Sequence, residues 1–268
     1  MKASLIRVLF LAIVSVSIMI SGCSERPHAI EKLDDARKAS IGVMTGTTGE
    51  IITKNRFPEA DVKHFDDIMD AFMALKSGKI DAIVTPYLTA NQLCKKNPDV
   101  HILSEGLLKE GVSVAVKKGN APILQIADSL IDELQADGTI VDMGKRWYEK
   151  KQGEYQEPEF ALPDTGEVLK VGVSATREPM SFVDKNGRVT GFDGELARRL
   201  AAKLHRPIRF YDMKFMALIP ALESGKIDVI ISGISSTEER KKRVDFSRPY
   251  FYMPQVMLVK NAGTSPVH

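Results

Sequence analysis

Cysteine is nearly absent. Cys23 and Cys94 are the only two in 268 residues. No CxxC pair exists, so the common thiolate zinc sites are excluded, and stability must come from a core rather than from a disulfide framework. Histidine is equally sparse, five residues scattered along the chain with no ligand spacing. No metal or other cofactor is expected. Charge of one sign is not in excess. Lys plus Arg is 37 and Asp plus Glu is 35, a formal net of +2. Such a balance gives no general reason to bind nucleic acid; the basic clusters Arg240–Arg243 and Lys145–Lys151 are, taken alone, ordinary solvated helix faces. A long apolar run is missing too. The stretch Val8–Ile20 is too short for a confident membrane span. The glycine-rich turn Gly46–Gly49 lacks a Gly-Lys-Ser/Thr ending, so a phosphate loop is not supported.

What is present is ordinary for a globular protein, 44% apolar and 27% charged, except for one feature. Residues 74–83, ALKSGKIDAI, recur at 221–230 as ALESGKIDVI, with eight of ten positions identical. Copies so far apart indicate duplicated architecture. Each reads as a helix end, a glycine turn at Gly78 or Gly225, and a β-branched strand, Ile80–Val84 or Ile227–Ile231. Two α/β halves follow, and open α/β sheets bind ligands beyond the carboxyl ends of their strands.

The N-terminus carries Lys2 and Arg7 before the apolar run, which has the form of a secretory signal. It closes on Ile20-Ser21-Gly22-Cys23, which resembles the lipobox of bacterial lipoproteins. That resemblance implies cleavage before Cys23, acylation of Cys23 and a membrane anchor at the cell envelope, facing the periplasm or exterior. A plain signal peptide with an incidental cysteine is the other reading. Cys94, in a helical stretch, reads as a small buried hydrophobe.

Expected elements alternate strand and helix throughout, which predicts an α/β fold. Residues 1–22 form the signal, 23–37 a tether, 38–111 one lobe, and 112–150 a hinge strand with closing helices. Residues 151–167, rich in proline and glutamate and without apolar periodicity, form a linker. Residues 168–260 form the other lobe and 261–268 a tail. The strand Leu169–Val173 opens the second α/β unit, with a hairpin across Met180–Phe182 and Gly187–Thr190.

From Leu169 to Lys260 the chain resembles the first lobe of the bacterial extracellular solute-binding proteins of family 3, the polar amino-acid binders of ABC transporters. The matching pieces are LKVGV (169–173), FVD (182–184), GFD (191–193), LIPAL (218–222) with SGKID (224–228), Glu239-Arg240, and VDFS (244–247) with Pro249-Tyr250. Leu33–Trp147 resembles the remainder, at IGV (41–43), TGTTG (45–49), AVKKG (115–119), ADG (136–138) and KRW (145–147). The resemblance implies a two-lobed Venus-flytrap fold of type II. The order of the pieces is reversed, which predicts a circular permutation joined through residues 151–167. Seventeen residues reach about 55–60 Å when extended, and such rewiring is tolerated where termini lie close together. The hinge strands would be Val112–Lys117 and Gln255–Val259. A fragment of a longer tandem binding protein is the alternative.

The resemblance implies Arg240 as the partner of a ligand carboxylate, a role suited to a guanidinium fork. Gly233 and Ser235 flank it, and Phe215 matches the aromatic that stacks on the ligand. Thr45, Thr47 and Thr48 match a second carboxylate contact at a helix N-terminus. Two positions depart from the family. Pro86 stands where an ammonium-binding aspartate is expected, and Arg177 replaces an aromatic, with Ser174 unlike the usual acid nearby. The site thus reads as poor in acid, and an acidic amino acid or a dicarboxylate is the expected guest. The expected function is capture of a small amino acid or related carboxylate by hinge closure, for an ABC permease. A ligand-sensing module of a signalling receptor is the alternative. An enzyme is not expected: Glu178 lies near the presumed cleft, but no second group stands ready for proton transfer.

Overall fold

The computed structural model describes residues 30–103, 106–149 and 157–261. The signal, Cys23, most of the tether, the start of the linker and nearly all of the tail lie outside the described residues. No helix of the described residues is long and apolar enough to cross a membrane.

The first half runs β1 (Ser40–Met44), α1 (Thr48–Arg56), β2 (Asp61–Phe65), α2 (Ile68–Lys76) and β3 (Ala82–Pro86). It continues through α3 (Tyr87–Lys96) and β4 (Val100–Ile102) to the long β5 (Leu108–Lys117), then α4 (Ala121–Ala136), α5 (Thr139–Gly144) and a π-helical turn at Lys145–Glu149. After the linker come β6 (Leu169–Val173), a small three-stranded sheet of β7 (Thr176–Arg177), β8 (Ser181–Val183) and β9 (Val189–Thr190), α6 (Phe192–Lys203) and β10 (Ile208–Asp212). The chain ends on α7 (Leu218–Glu223), β11 (Val229–Ser235), α8 (Glu238–Lys241) and β12 (Val244–Lys260).

The large sheet has the order β10-β6-β11-β5-β12-β3-β1-β2, with β4 also on β12. Its two ends are the same unit. In each, the first strand lies parallel between the second and third, as β2-β1-β3 and as β10-β6-β11. Helical crossovers explain the parallel pairing. Between the ends run β5 and β12, antiparallel to each other. The start of β12 lies against β5 alone, and its end, Gln255–Val259, pairs with β3. These two strands therefore carry the chain from one half to the other. The expected hinge strands are their inner parts; both extend further than the sequence periodicity indicated.

The duplication reaches the hydrogen bonds. Asp81 Oδ2 accepts from Ser40 N–H at 2.8 Å, and Asp228 Oδ2 accepts from Lys170 N–H at 2.9 Å. Each aspartate of the repeat thus ties its strand to the first strand of its own half. This explains a charged residue at the head of a buried run, and why the first repeat strand begins at Ala82 rather than Ile80. The preceding turns also match, with φ of +72° at Gly78 and +77° at Gly225, a region that favours glycine.

A second matched pair is Gly42 and Gly172. A Cβ on Gly172 would lie 2.3 Å from Ile227 Cδ1 and 3.1 Å from Leu218 Cδ2; one on Gly42 would lie 2.6 Å from Ile80 Cδ1. The isoleucine of each repeat fills the space its glycine leaves. Ile227 and Leu218 are fully buried. Gly172→Ala is expected to lower unfolding free energy by about 1–3 kcal/mol through overpacking, with part of the loss recovered by adding Ile227→Val; urea titration of the three chains checks this.

Three apolar clusters cover the sheet. One gathers α4, α6, Trp147, Met143 and Tyr250 around β6 and β11. Another joins α2 and α7, so it draws on both halves. The third lies under the N-terminal turn and β1. Leu162, in the described part of the linker, packs on the first cluster. Glu157 accepts from Arg198 at 2.8 Å and from Thr190 at 3.1 Å. This end of the linker is pinned to α6 and β9.

Candidate functional site

The carboxyl ends of β1, β3, β6 and β11 lead to Thr45, Pro86, Ser174 and Ser235, and these ends of the two half-sheets face one another. Arg240 bridges them. It sits on α8, whose N-cap Thr237 accepts from Arg240 N–H at 3.3 Å. Its guanidinium is 8% exposed. Nη1 donates to the Ser235 carbonyl at 2.9 Å, and Nη2 reaches across to the Gly46 carbonyl at 2.7 Å. Burial pulls the guanidinium down to about 10, with Glu110 opposing, so it is charged at neutral pH. A cavity of about 410 Å³ opens beside it, lined by Gly46, Thr47 and Glu50 from one half and by Phe215, Thr237 and Arg240 from the other.

Phe215 is a buried platform for two cations. The guanidinium carbon of Arg177 lies 4.6 Å from its ring centre and that of Arg240 lies 5.4 Å away, both within cation–π range. Its ring therefore contacts the cations flanking the site. Arg177 is 4% exposed, and its Nη2 donates to the carbonyl and the hydroxyl of Ser232, while Nε is buried without a partner among the described residues. Burial lowers its pKa, opposed by Asp193.

The threonine loop is engaged differently from what the resemblance implies. Thr45 Oγ1 donates to the Phe65 carbonyl at 3.2 Å and Thr47 Oγ1 to the Met44 carbonyl at 2.7 Å. Thr48 is buried and its hydroxyl accepts from Gln255 Nε2 at 3.4 Å. The Gly46 N–H is taken by Glu50 Oε2 at 2.8 Å. A glutamate of the same helix thus occupies one donor of the turn, as helix N-termini favour. Gly233, at φ +53°, presents its N–H to Tyr250 Oη at 3.3 Å.

Two acids stand in this region, so it is less poor in acid than the sequence indicated. Glu110 on β5 is 8% exposed and accepts from the Ser235 hydroxyl. It escaped the sequence reading because alternation was traced only from Val112; two residues back, on the same strand, lies Glu110. Asp193 is fully buried at the start of α6, where it accepts from Tyr250 Oη at 2.7 Å and from Ser181 Oγ at 2.7 Å. Burial pushes it up to about 6, against the hydrogen bonds and Arg177, which pull it down. A folded-state value above the unfolded one, about 3.9, means that the folded chain holds this proton more tightly. The stabilisation is complete below about pH 4 and is lost as pH rises through 6. Relative to Asp193→Asn, wild-type stability should fall by on the order of 3 kcal/mol between pH 4 and 7. Denaturant titrations across that range check it; a flat or rising difference would contradict the assignment.

Two pairs close the mouth between the halves. Lys96 Nζ meets Glu178 Oε2 at 3.0 Å, and Lys214 pairs with Asp66. Glu178 is thus tied to a lysine at the rim. Among the described residues no cluster of three or more His, Cys, Asp or Glu could hold a metal.

Comparison with known proteins gives a consistent picture for one part of the chain. Residues 169–267 match the model of the bacterial extracellular solute-binding proteins, family 3. A probable histidine-binding protein of Campylobacter jejuni is 41% identical over 90 residues, 34% of this chain and 35% of that protein. ABC transporter arginine-binding protein 1 of Escherichia coli is 37% identical, over 35% of each chain. The L-cystine-binding protein TcyJ of E. coli is 32% identical over 44% of this chain and 45% of its own. The chain spans about a third of the length of the first of these. Among solved structures, holo ArgBP from T. maritima is 54% identical over 31% of this chain and 37% of its own, with a TM-score of 0.31, too low for a shared overall shape to be argued from it.

Proposed function

Because residues 169–267 belong to family 3 of the bacterial extracellular solute-binding proteins, we propose that this chain is an extracytoplasmic binding protein. It captures a small solute, an amino acid or related carboxylate, between its halves and presents it to an ABC permease. The observation that carries the reading is Arg240, a buried guanidinium at the facing strand ends whose two outer nitrogens contact opposite halves. In the described state these nitrogens rest on carbonyl oxygens. A ligand carboxylate would replace the Gly46 carbonyl with a charged acceptor, which binds a guanidinium more strongly. A ligand that touches both halves only when they meet shifts the population toward closure.

The site comprises Arg240, Ser235, Gly233, Phe215 and Arg177 from one half and Thr45, Thr47 and Thr48 from the other. In this reading Phe215 and Arg177 shape the wall, and the threonine loop offers N–H groups. The chain is a circular permutant of the family's clamp. Support comes from the matched β2-β1-β3 and β10-β6-β11 units joined by two antiparallel crossing strands. The lobes are 38–111 and 168–260, the latter completed by residues 112–150. Cys23 is the lipid-bearing residue, anchoring the protein to a membrane on its periplasmic or exterior side. No enzymatic activity and no cofactor is assigned.

A thermal-shift panel of the protein amino acids, with succinate and glutarate, tests the function. At least one amino acid or carboxylate should raise the melting temperature in a saturable way. A panel without any saturable shift would count against it.

A further inference from the structure

The geometry points to Glu110 as the residue that recognises a cation on the ligand, so that the clamp takes a zwitterionic α-amino acid and holds its ammonium at the crossing strands. This rests on the solute-binding reading above and deepens it.

The unpaired acceptors carry it. Glu110 Oε2 accepts from the Ser235 hydroxyl, but Oε1 is buried with no partner among the described residues. Nearby on β12, Gln255 is 4% exposed; its Nε2 donates to Thr48, and its Oε1 is likewise buried and unpartnered among the described residues. The two side chains belong to the same stretch of ladder, where Glu110 lies opposite Met253 and Leu108 opposite Gln255. Buried acceptors without donors are strongly disfavoured unless something supplies the donors. What both lack is a donor, and an ammonium is a donor-only group with three N–H bonds to give. A dicarboxylate brings more acceptors and would meet Glu110 as a like charge.

The position of the charge fits as well. Ser235 joins the two ionic groups: its hydroxyl donates to Glu110 and its carbonyl accepts from Arg240 at 2.9 Å. A guanidinium and a carboxylate so bridged by one residue match the adjacent charges of an α-amino acid, carboxylate to Arg240 and ammonium to Glu110. Gln255 also pairs in register with Pro86, the position where the family resemblance implies an aspartate for this ammonium. The crossing strands thus supply, from directly opposite, the acid and the acceptor that Pro86 lacks.

The test is calorimetry on the full chain with pairs of probes that differ only in the amino group: L-glutamate and glutarate, L-glutamine and 4-carbamoylbutanoate, L-arginine and 5-guanidinopentanoate, L-histidine and imidazolepropanoate. Wild type is expected to favour the amino acid of at least one pair by about 100-fold or more, the discrimination a site built around a polar group achieves. Glu110→Gln, close to isosteric, should bring that ratio below about 10-fold, while Glu110→Asp keeps more of it. A purely structural role would weaken both members of a pair equally and leave the ratio unchanged. Melting curves establish that each variant is folded, and if the Gln variant is not, the Asp variant alone decides by whether its ratio falls. An unchanged ratio in the folded variants, or a wild type that prefers the des-amino probe, overturns the assignment of Glu110 and leaves the clamp standing. If no probe binds wild type, the solute-binding reading fails and takes this inference with it.

Discussion

Arg240→Ala should reduce ligand affinity by at least about 100-fold, the loss expected when a bidentate, charge-assisted pair is removed from a buried site. The wild-type guanidinium is nearly inaccessible, stacks at 5.4 Å from the Phe215 ring centre and spans the two halves through Ser235 and Gly46. An alanine removes the fork, the stack and the bridge together. Arg240→Lys should recover only part of the affinity, because an ammonium makes a point contact where the fork makes two parallel ones. Calorimetry with the amino acid that gives the largest thermal shift measures both variants. Effects on folding should be small by comparison, since α8 has only four residues and its capping bond from Arg240 N–H to Thr237 involves the backbone. A variant that binds as wild type does would remove Arg240 from the site.

Glu195→Leu should cost about 3–5 kcal/mol of stability, the range for removing one partner from a buried ionic cluster. Glu195 is completely buried on α6. Its carboxylate accepts from Trp147 Nε1 at 2.7 Å, from Arg146 Nε at 3.1 Å and from Arg199 Nη2 at 2.8 Å. Two of these partners lie in the helical segment before the linker, so this one side chain fastens the segment around residue 147 to the half that follows the linker. Replacement by leucine leaves a buried indole N–H and two guanidinium groups without their shared acceptor. Glu195→Gln should cost less, since its carbonyl oxygen can still serve the indole. Guanidinium chloride titrations give both values. A loss under 1 kcal/mol for the leucine variant would show that the cluster contributes little.

Much of the fold was legible because the duplicated decapeptide carries several constraints at once. Gly78 and Gly225 need positive φ, the aspartates two residues into each run hold the neighbouring strand, and Ile80 and Ile227 need a glycine opposite. Each constraint is local or pairs two motifs that can be recognised on their own. The short strands at Val100–Ile102 and Thr176–Arg177 were not legible, since two or three residues leave no period to read. The full reach of β12 was hidden by Pro249 and Pro254, which ordinarily argue against a strand interior; the ladder to β5 shifts register around Pro249. The chain from Val141 was read as one helix, whereas the turn at Lys145–Glu149 is π-helical, placing Trp147 against Glu195.

The site was half legible. Arg240 and Phe215 were found through the motifs around them, and the structure brings them together with Arg177. Glu110 and Gln255 were not found, because their roles depend on which strands lie side by side across the crossing, and sequence spacing does not contain that. The partners of Thr45 and Thr47 could not be foreseen for the same reason: their hydroxyls turn to the backbone carbonyls of Phe65 and Met44.

The most direct test of a clamp that closes over its ligand is hydrogen–deuterium exchange, with and without the amino acid that gives the largest thermal shift. Ligand should slow exchange together at Gly46–Thr48 in one half and at Ile234–Arg240 in the other, with β5 and β12 slowed between them. Protection confined to one half, or found only away from these segments, would contradict binding between the halves.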